Sequence, residues 1–443
     1  MHSFLILLSY YWLIIFSIIG YGLLLKKYFI KDDNIGIGYI GIFGIFLLIL
    51  ISYISNFFIA HTQIFNLVIL ILGLMNLYFN KNDEIFKKDI KILTIIFSVF
   101  ILFILSAKNH DDFPYYHFPY THLITEFSNV IGLGNFNHGF RTHSSIFYLS
   151  SLFNLPKSDL YLLNLSPVFF MGFGNLILLD RIKKCIKSNE INFVLYLSLL
   201  SFLFINVFFY RLAEHGTDRS AMVLIFILVI ELFYYINLKN NFNENHLLKL
   251  FIVISLIISL KPFYILYTLL FLPLLTILLA NKVSVIFFIK HKVLYLCFLM
   301  ICFLFIINFF NTGCIIYPVK ILCFDSFSWS IPLSEVELMH NWYQQWSKAG
   351  AGPTFRVDNT ETYIKNFNWV SNWIDEYFFN KVSDFLLGLL FLILITYLAF
   401  YTKNKKKNIK PKFYFLYSIL ILLIIEWFYF HPALRYGGYH LIA

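Results

Sequence analysis

The sequence predicts an all-α, polytopic integral membrane protein of about twelve transmembrane helices. Three observations predict it. Hydrophobic residues fill 60% of the 443 positions and charged residues only 13%, against about 45–50% and about 25% in soluble domains. The apolar residues fall in long runs, each able as helix to cross a hydrocarbon core of about 30 Å, without the alternation of an outer-membrane barrel strand. Basic residues gather in alternate loops between those runs, as the positive-inside rule requires.

The runs lie near residues 3–25, 35–58, 64–79, 92–107, 159–179, 192–210, 220–237, 247–280, 293–310, 384–401 and 412–430. The run 247–280 is long enough for two short crossings, and Lys261-Pro262 interrupts it. Proline breaks a helix and lysine is costly at the bilayer centre, so Lys261 is read at a tight turn between two spans. Five segments follow: a four-span segment 1–107, an external loop 108–158, a central six-span segment 159–310, a second external loop 311–383, and the final spans 384–443. The residues from Arg435 onward also start an apolar run, which reads as a short tail or the start of a thirteenth span.

With the N-terminus outside, the six inner loops hold 22 of the 34 Lys and Arg residues. The inner loops carry net charge +14 and the outer face −2, with Glu231 and Glu426 inside spans. The overall +10 is therefore an orientation signal and predicts no nucleic-acid partner. The first run lacks a basic start and is followed by Lys26-Lys27, so it reads as a reverse anchor in a bacterial plasma membrane.

Chemistry concentrates outside. The first external loop opens on His110-Asp111-Asp112 and holds five histidines, including His117, together with Arg141. Two adjacent carboxylates suit a general base or a cation site. The histidine spacings lack a metal-ligand pattern, so no cofactor is predicted, and hydrogen-bonding roles are expected. Only six residues are Arg against 28 Lys, and five of the six are external: Arg141, Arg211, Arg219, Arg356 and Arg435. Inner loops need only charge, whereas a guanidinium offers a planar fork for phosphate or carboxylate. The loop Arg211-Leu-Ala-Glu214-His215-Gly-Thr-Asp218-Arg219 packs five ionisable groups into nine residues. In the second loop, Cys314 and Cys323 lie nine residues apart, which predicts a disulfide in an oxidising compartment. The Trp-rich stretch 329–373 predicts a small helical cap. There is no phosphate-binding glycine loop, which argues against an ATP-driven pump.

The arrangement resembles the GT-C superfamily of polytopic glycosyltransferases, and uncharacterised bacterial membrane proteins with GT-C-like features. The residues that carry the resemblance are Asp111-Asp112, Phe136-Asn-His-Gly-Phe-Arg-Thr-His-Ser-Ser145, Gly216-Thr-Asp218, Ser259-Leu-Lys261-Pro, Gly313-Cys314 through Tyr317-Pro318, and Arg435-Tyr-Gly. It implies a polyprenyl-phosphate sugar donor, an external glycan or lipid acceptor, and Asp111 or Asp112 as catalytic base. It places Arg211, Arg219, Lys261 and Arg435 on the phosphate, with His117, Arg141, His215 and Asp218 grouped around the substrate. The pattern departs from the familiar one because the acidic loop follows the fourth span instead of the first. Two other readings remain open: a polysaccharide polymerase or ligase relying on His340 and Arg356, and a flippase or transporter relying on Glu231 and Glu426. A single site requires the fold to bring the Asp pair alongside Arg211, Lys261 or Arg435.

Overall fold

The computed structural model describes residues 2–30, 35–80, 84–105, 110–158, 160–188, 193–237, 244–280, 290–352, 357–399 and 411–437. Among them every regular element is helical, with one isolated bridge between Cys314 and Cys323. Arg356 and the last six residues lie outside the described residues.

The N-terminal helices are α1 (His2–Leu25), α2 (Ile37–Asn56), α3 (Gln63–Phe79) and α4 (Glu84–Leu105). Glycine sets how closely the first three meet. A Cβ on Gly44 of α2 would sit 1.8 Å from the Ile18 carbonyl of α1, and one on Gly20 1.8 Å from the Gly73 carbonyl of α3. Such contacts allow backbone-to-backbone packing, which drives helix association where lipid removes the hydrophobic incentive.

The short α5 (Phe118–Glu126) and α6 (Ser145–Ser151) lie in the long loop between α4 and the next long helix. The central helices are α7 (Ser166–Lys187), α8 (Phe193–Phe208), α9 (Asp218–Asn237), α10 (Glu244–Leu260), α11 (Leu272–Ala280) and α12 (Lys292–Thr312). The long segment after α12 carries α13 (Leu333–Lys348), α14 (Thr360–Ile364) and α15 (Val370–Trp373), before α16 (Ser383–Ala399) and α17 (Pro411–Phe430).

Six helical stretches are long and apolar enough to cross a membrane: Ser3–Ile30, Ile37–Asn56, Asp218–Ile236, Lys292–Thr312, Val370–Ala399 and Phe413–Phe430. Gln63–Phe79, Phe193–Phe208 and Pro262–Thr276 are apolar but shorter. Length and composition thus qualify six crossings among the described residues, where apolar runs alone suggest twelve. The physical reasons are local: α4 and α7 carry several charges in their terminal turns, and Pro262 cuts the run 247–280. Helix α10 ends at Leu260, Lys261 is extended (φ −150°, ψ 104°), and Pro262 opens a 3₁₀ run to Phe271. Proline has no N–H to continue the helix and disfavours helical geometry in the residue before it.

At the centre, α9 is sheathed by α7, α8 and α10. Its Glu231 is buried and held by Arg181 of α7, with Nε donating at 3.0 Å and Nη2 at 2.6 Å to Oε1. His246 Nε2 lies 3.3 Å from the other oxygen, and the Arg181 guanidinium stacks 3.6 Å from the Tyr234 ring centre. A buried acid is tolerable only when paired in this way.

Candidate functional site

The N-terminal end of α9 and the C-terminal end of α10 meet the long loop between α4 and α7 and the segment after α17. Asp218 is the first residue of α9, where a carboxylate meets the positive end of the helix dipole, and Thr217 Oγ1 donates to its Oδ1 at 3.0 Å. Lys261 Nζ donates to the same oxygen, and Arg435 Nε donates to Oδ2 at 3.0 Å. Asp218 is thus a buried anion between two cations. On the outer side, Arg435 Nη2 lies 3.9 Å from Asp112 Oδ2, with these side chains 36% and 31% exposed. The cluster therefore runs from a buried Lys261–Asp218 pair to a half-open Arg435–Asp112 edge.

Aromatic rings close the sides. The Arg435 guanidinium sits 5.4 Å from the Trp346 ring centre and 5.8 Å from that of Tyr436, and Lys261 Nζ sits 4.7 Å from Tyr436. Cations against ring faces gain about 0.5–2 kcal/mol each. Burial opposes the charge on Arg435; Asp218, Tyr436, Tyr116 and Asp112 together outweigh it and hold the guanidinium above its ordinary pKa. Burial likewise pushes the Tyr436 phenol up to about 12.

Two histidines floor the Asp112 side. Burial lowers the His110 pKa, with Asp112 opposing, so the ring is neutral at pH 7 and its Nδ1 accepts the Asp112 backbone N–H at 3.0 Å. His117 stacks on it with ring centres 5.7 Å apart, and burial, then His110, pushes its pKa down to about 3. His117 Nε2 is buried without a hydrogen-bond partner. Gly216 passes over both rings. It has φ +55°, and a Cβ there would sit 3.3 Å from His117 Cε1 and 3.6 Å from His110 Cδ2. The Gly216-Thr-Asp218 motif thus has a geometric meaning: only glycine readily takes that turn beneath the imidazoles.

Lys261 is placed by a second junction of motifs. Ser144 Oγ donates to the Leu260 carbonyl at 2.6 Å, and the Ser145 and Ser259 hydroxyls are 2.9 Å apart. The loop ahead of α6 therefore grips the end of α10 one residue before Lys261. His143, from the same loop, lies with Nε2 2.9 Å from the Tyr53 hydroxyl and Nδ1 3.3 Å from that of Tyr120.

The profile described as Domain of unknown function (DUF8201) matches residues 4–442. The chain belongs to that family. No curated protein and no solved structure matches it. In this DUF8201 chain, Asp112, Asp218, Lys261, Arg435 and His117 come together, and the cluster adds His110, Trp346 and Tyr436.

Other residues grouped with the substrate by the sequence have different surroundings. Asp111 is exposed beside Asp112. Arg211 is at the surface, with Nε on the Tyr210 hydroxyl at 2.8 Å and Nη1 3.6 Å from Glu214. Arg219 lies 5.5 Å from the Phe209 ring centre, and its Nη1 is buried without a hydrogen-bond partner. His215 is buried, with Nε2 2.6 Å from the Phe209 carbonyl oxygen. Arg141 ties the two long loops together: its Nε donates to the Gly134 carbonyl at 2.8 Å and Nη1 to Glu335 at 2.9 Å. These contacts account for His215 and Arg141 as loop-holding groups. Asp218, an anion among the proposed phosphate ligands, is the group that holds Lys261 and Arg435. Cys314 and Cys323 are joined by a disulfide, which closes the first turn of the second loop. Among the described residues no group of three His, Cys, Asp or Glu side chains is placed to hold a metal ion.

Proposed function

We propose that the chain is a polytopic glycosyltransferase of the GT-C kind, moving a sugar from a polyprenyl-phosphate donor to an external glycan or lipid acceptor. In this reading it crosses a bacterial plasma membrane about twelve times with its N-terminus outside. One observation carries the proposal: the half-exposed Asp112 carboxylate lies beside the half-exposed Arg435 guanidinium, which the buried Asp218 backs.

The chemistry balances with these groups alone. Asp112 takes the proton of an acceptor hydroxyl, and that oxygen attacks the anomeric carbon. The bond from this carbon to the phosphate oxygen breaks, and the lipid phosphate leaves with its electron pair. Arg435, with Lys261 behind it, stabilises the charge that grows on the phosphate. Asp218 keeps both cations charged and aimed. A lipid donor reaches such a site sideways, its tail remaining in the bilayer.

The test is transfer by purified protein with a panel of radiolabelled polyprenyl-phosphate sugars. Asp112→Asn is expected to lose about 100-fold or more in kcat, the worth of a positioned base, with donor KM little changed. Full activity in D112N, or lipid flux without covalent transfer, overturns the reading.

A further inference from the structure

The second external loop surrounds the segment that carries Arg435. Trp373 Nε1 donates to the Pro432 carbonyl at 2.8 Å, and Trp427 Nε1 donates to the Ala433 carbonyl at 2.9 Å. The Leu434 backbone N–H donates to the Tyr377 hydroxyl at 2.9 Å. Beyond the arginine, the Tyr264 hydroxyl donates to the Gly437 carbonyl at 3.3 Å. Four side chains from three parts of the chain therefore fix the backbone on both sides of one residue. A buried cluster of Trp369, Trp373, Tyr377, Val382 and Ala433 packs behind them, with Leu434 and Tyr436 against it.

We propose that Trp373 and Tyr377 are positioning residues for Arg435: the Trp-rich loop is a cradle that aims this guanidinium at Asp218, Asp112 and the donor phosphate. The part that concerns the donor rests on the transferase reading; the part that concerns Arg435 does not. The geometry argues for aiming over simple packing. The four hydrogen bonds fall on residues 432–434 and 437. Arg435 is also the one residue of that segment that reaches both site carboxylates. A segment without regular helix beyond a single 3₁₀ turn has no ladder of its own to fix its φ and ψ, so side-chain hydrogen bonds must supply the order.

Tyr377→Phe and Trp373→Phe each remove one hydrogen bond and leave an aromatic ring in the core. The experiment has two arms. In the first, folded protein in detergent micelles is treated with phenylglyoxal, and modification of each arginine is followed by mass spectrometry. Arg435 is expected to react about threefold to tenfold faster in Y377F and W373F than in wild type, as expected for losing one hydrogen bond. Exposed Arg211 and buried Arg181 are expected to keep their wild-type rates. Unchanged Arg435 rates in both variants, or equal acceleration of Arg181, overturn the proposal, the latter because it reports general loosening.

In the second arm, donor KM and kcat are measured for wild type, Y377F, R435Q and the double variant. Donor kcat/KM is expected to fall about fivefold in Y377F, carried mainly by kcat, because Arg435 acts on the charge that grows in the transition state. Y377F is expected to add nothing in the R435Q background, because the residue it aims is gone. A full additive effect there overturns the aiming role. Absence of transfer by wild type counts against the transferase reading alone, and the phenylglyoxal arm then decides the cradle.

Discussion

Asp218→Asn is the most informative single change, because one carboxylate there answers two cations. Asp218 is 9% exposed and Lys261 16%, so their pairing is largely shielded from solvent. Removing one partner of a buried pair costs about 3–5 kcal/mol, chiefly because the other charge stays buried and alone. Arg435 is 36% exposed and keeps Asp112 at 3.9 Å, so its share is discounted. The lower end, about 3 kcal/mol, is therefore expected. For a chain of this size that lowers the thermal midpoint by about 3–6 °C, read by fluorescence-detected size exclusion of purified protein heated in micelles. The decisive comparison is the double variant D218N/K261M. It removes the stranded ammonium along with its partner and is expected to recover at least half of the loss. If D218N melts like wild type, or if K261M does equal damage with and without Asp218, the buried pair is not what holds this end of α9.

Two further outcomes follow from the same contacts. Arg141→Met breaks the tie between the external loops; it is expected to lower the thermal midpoint by several degrees while leaving donor KM within twofold, since Arg141 spends its N–H groups on Gly134 and Glu335. A large KM effect with an unchanged midpoint would return Arg141 to the substrate. Burial pushes His117, His143 and His215 each down to about 3. The unfolded chain takes up protons on these rings below about pH 6.5 while the folded chain refuses them, so stability falls as pH drops from about 6.5 to about 3 and is flat above 7. A thermal midpoint that stays constant from pH 7 to pH 4 would contradict this.

The membrane character and the key cations were legible because both are written in composition. Apolar runs mark helices, and scarce arginine among abundant lysine narrows the candidates to a handful that includes Arg435. Lys261-Pro262 announces itself as a break, and the break is where the lysine turns to Asp218. Residue type could not say which arginine serves the site. Arg141 and Arg435 look alike in sequence, and only packing gives one to a loop junction and the other to a carboxylate pair. Helix length and composition qualify six crossings among the described residues, because a run of apolar letters does not show where a proline or a charged terminal turn shortens the helix. The Arg435 cradle did leave a signal. Trp369, Trp373 and Tyr377 recur every four residues, one helical face of large rings, which the sequence reading took for a cap.

Helix α9 carries two carboxylates, Asp218 at its N-terminal end and Glu231 thirteen residues further on, about 20 Å along the axis. Each is answered by cations from elsewhere in the chain: Lys261 and Arg435 at one end, Arg181 of α7 at the other. A slide of one turn, about 5.4 Å, would strand charge at both ends simultaneously. The helix is therefore an axle, fixed at two bearings. A shift in its register therefore has to break the pairs at both bearings together.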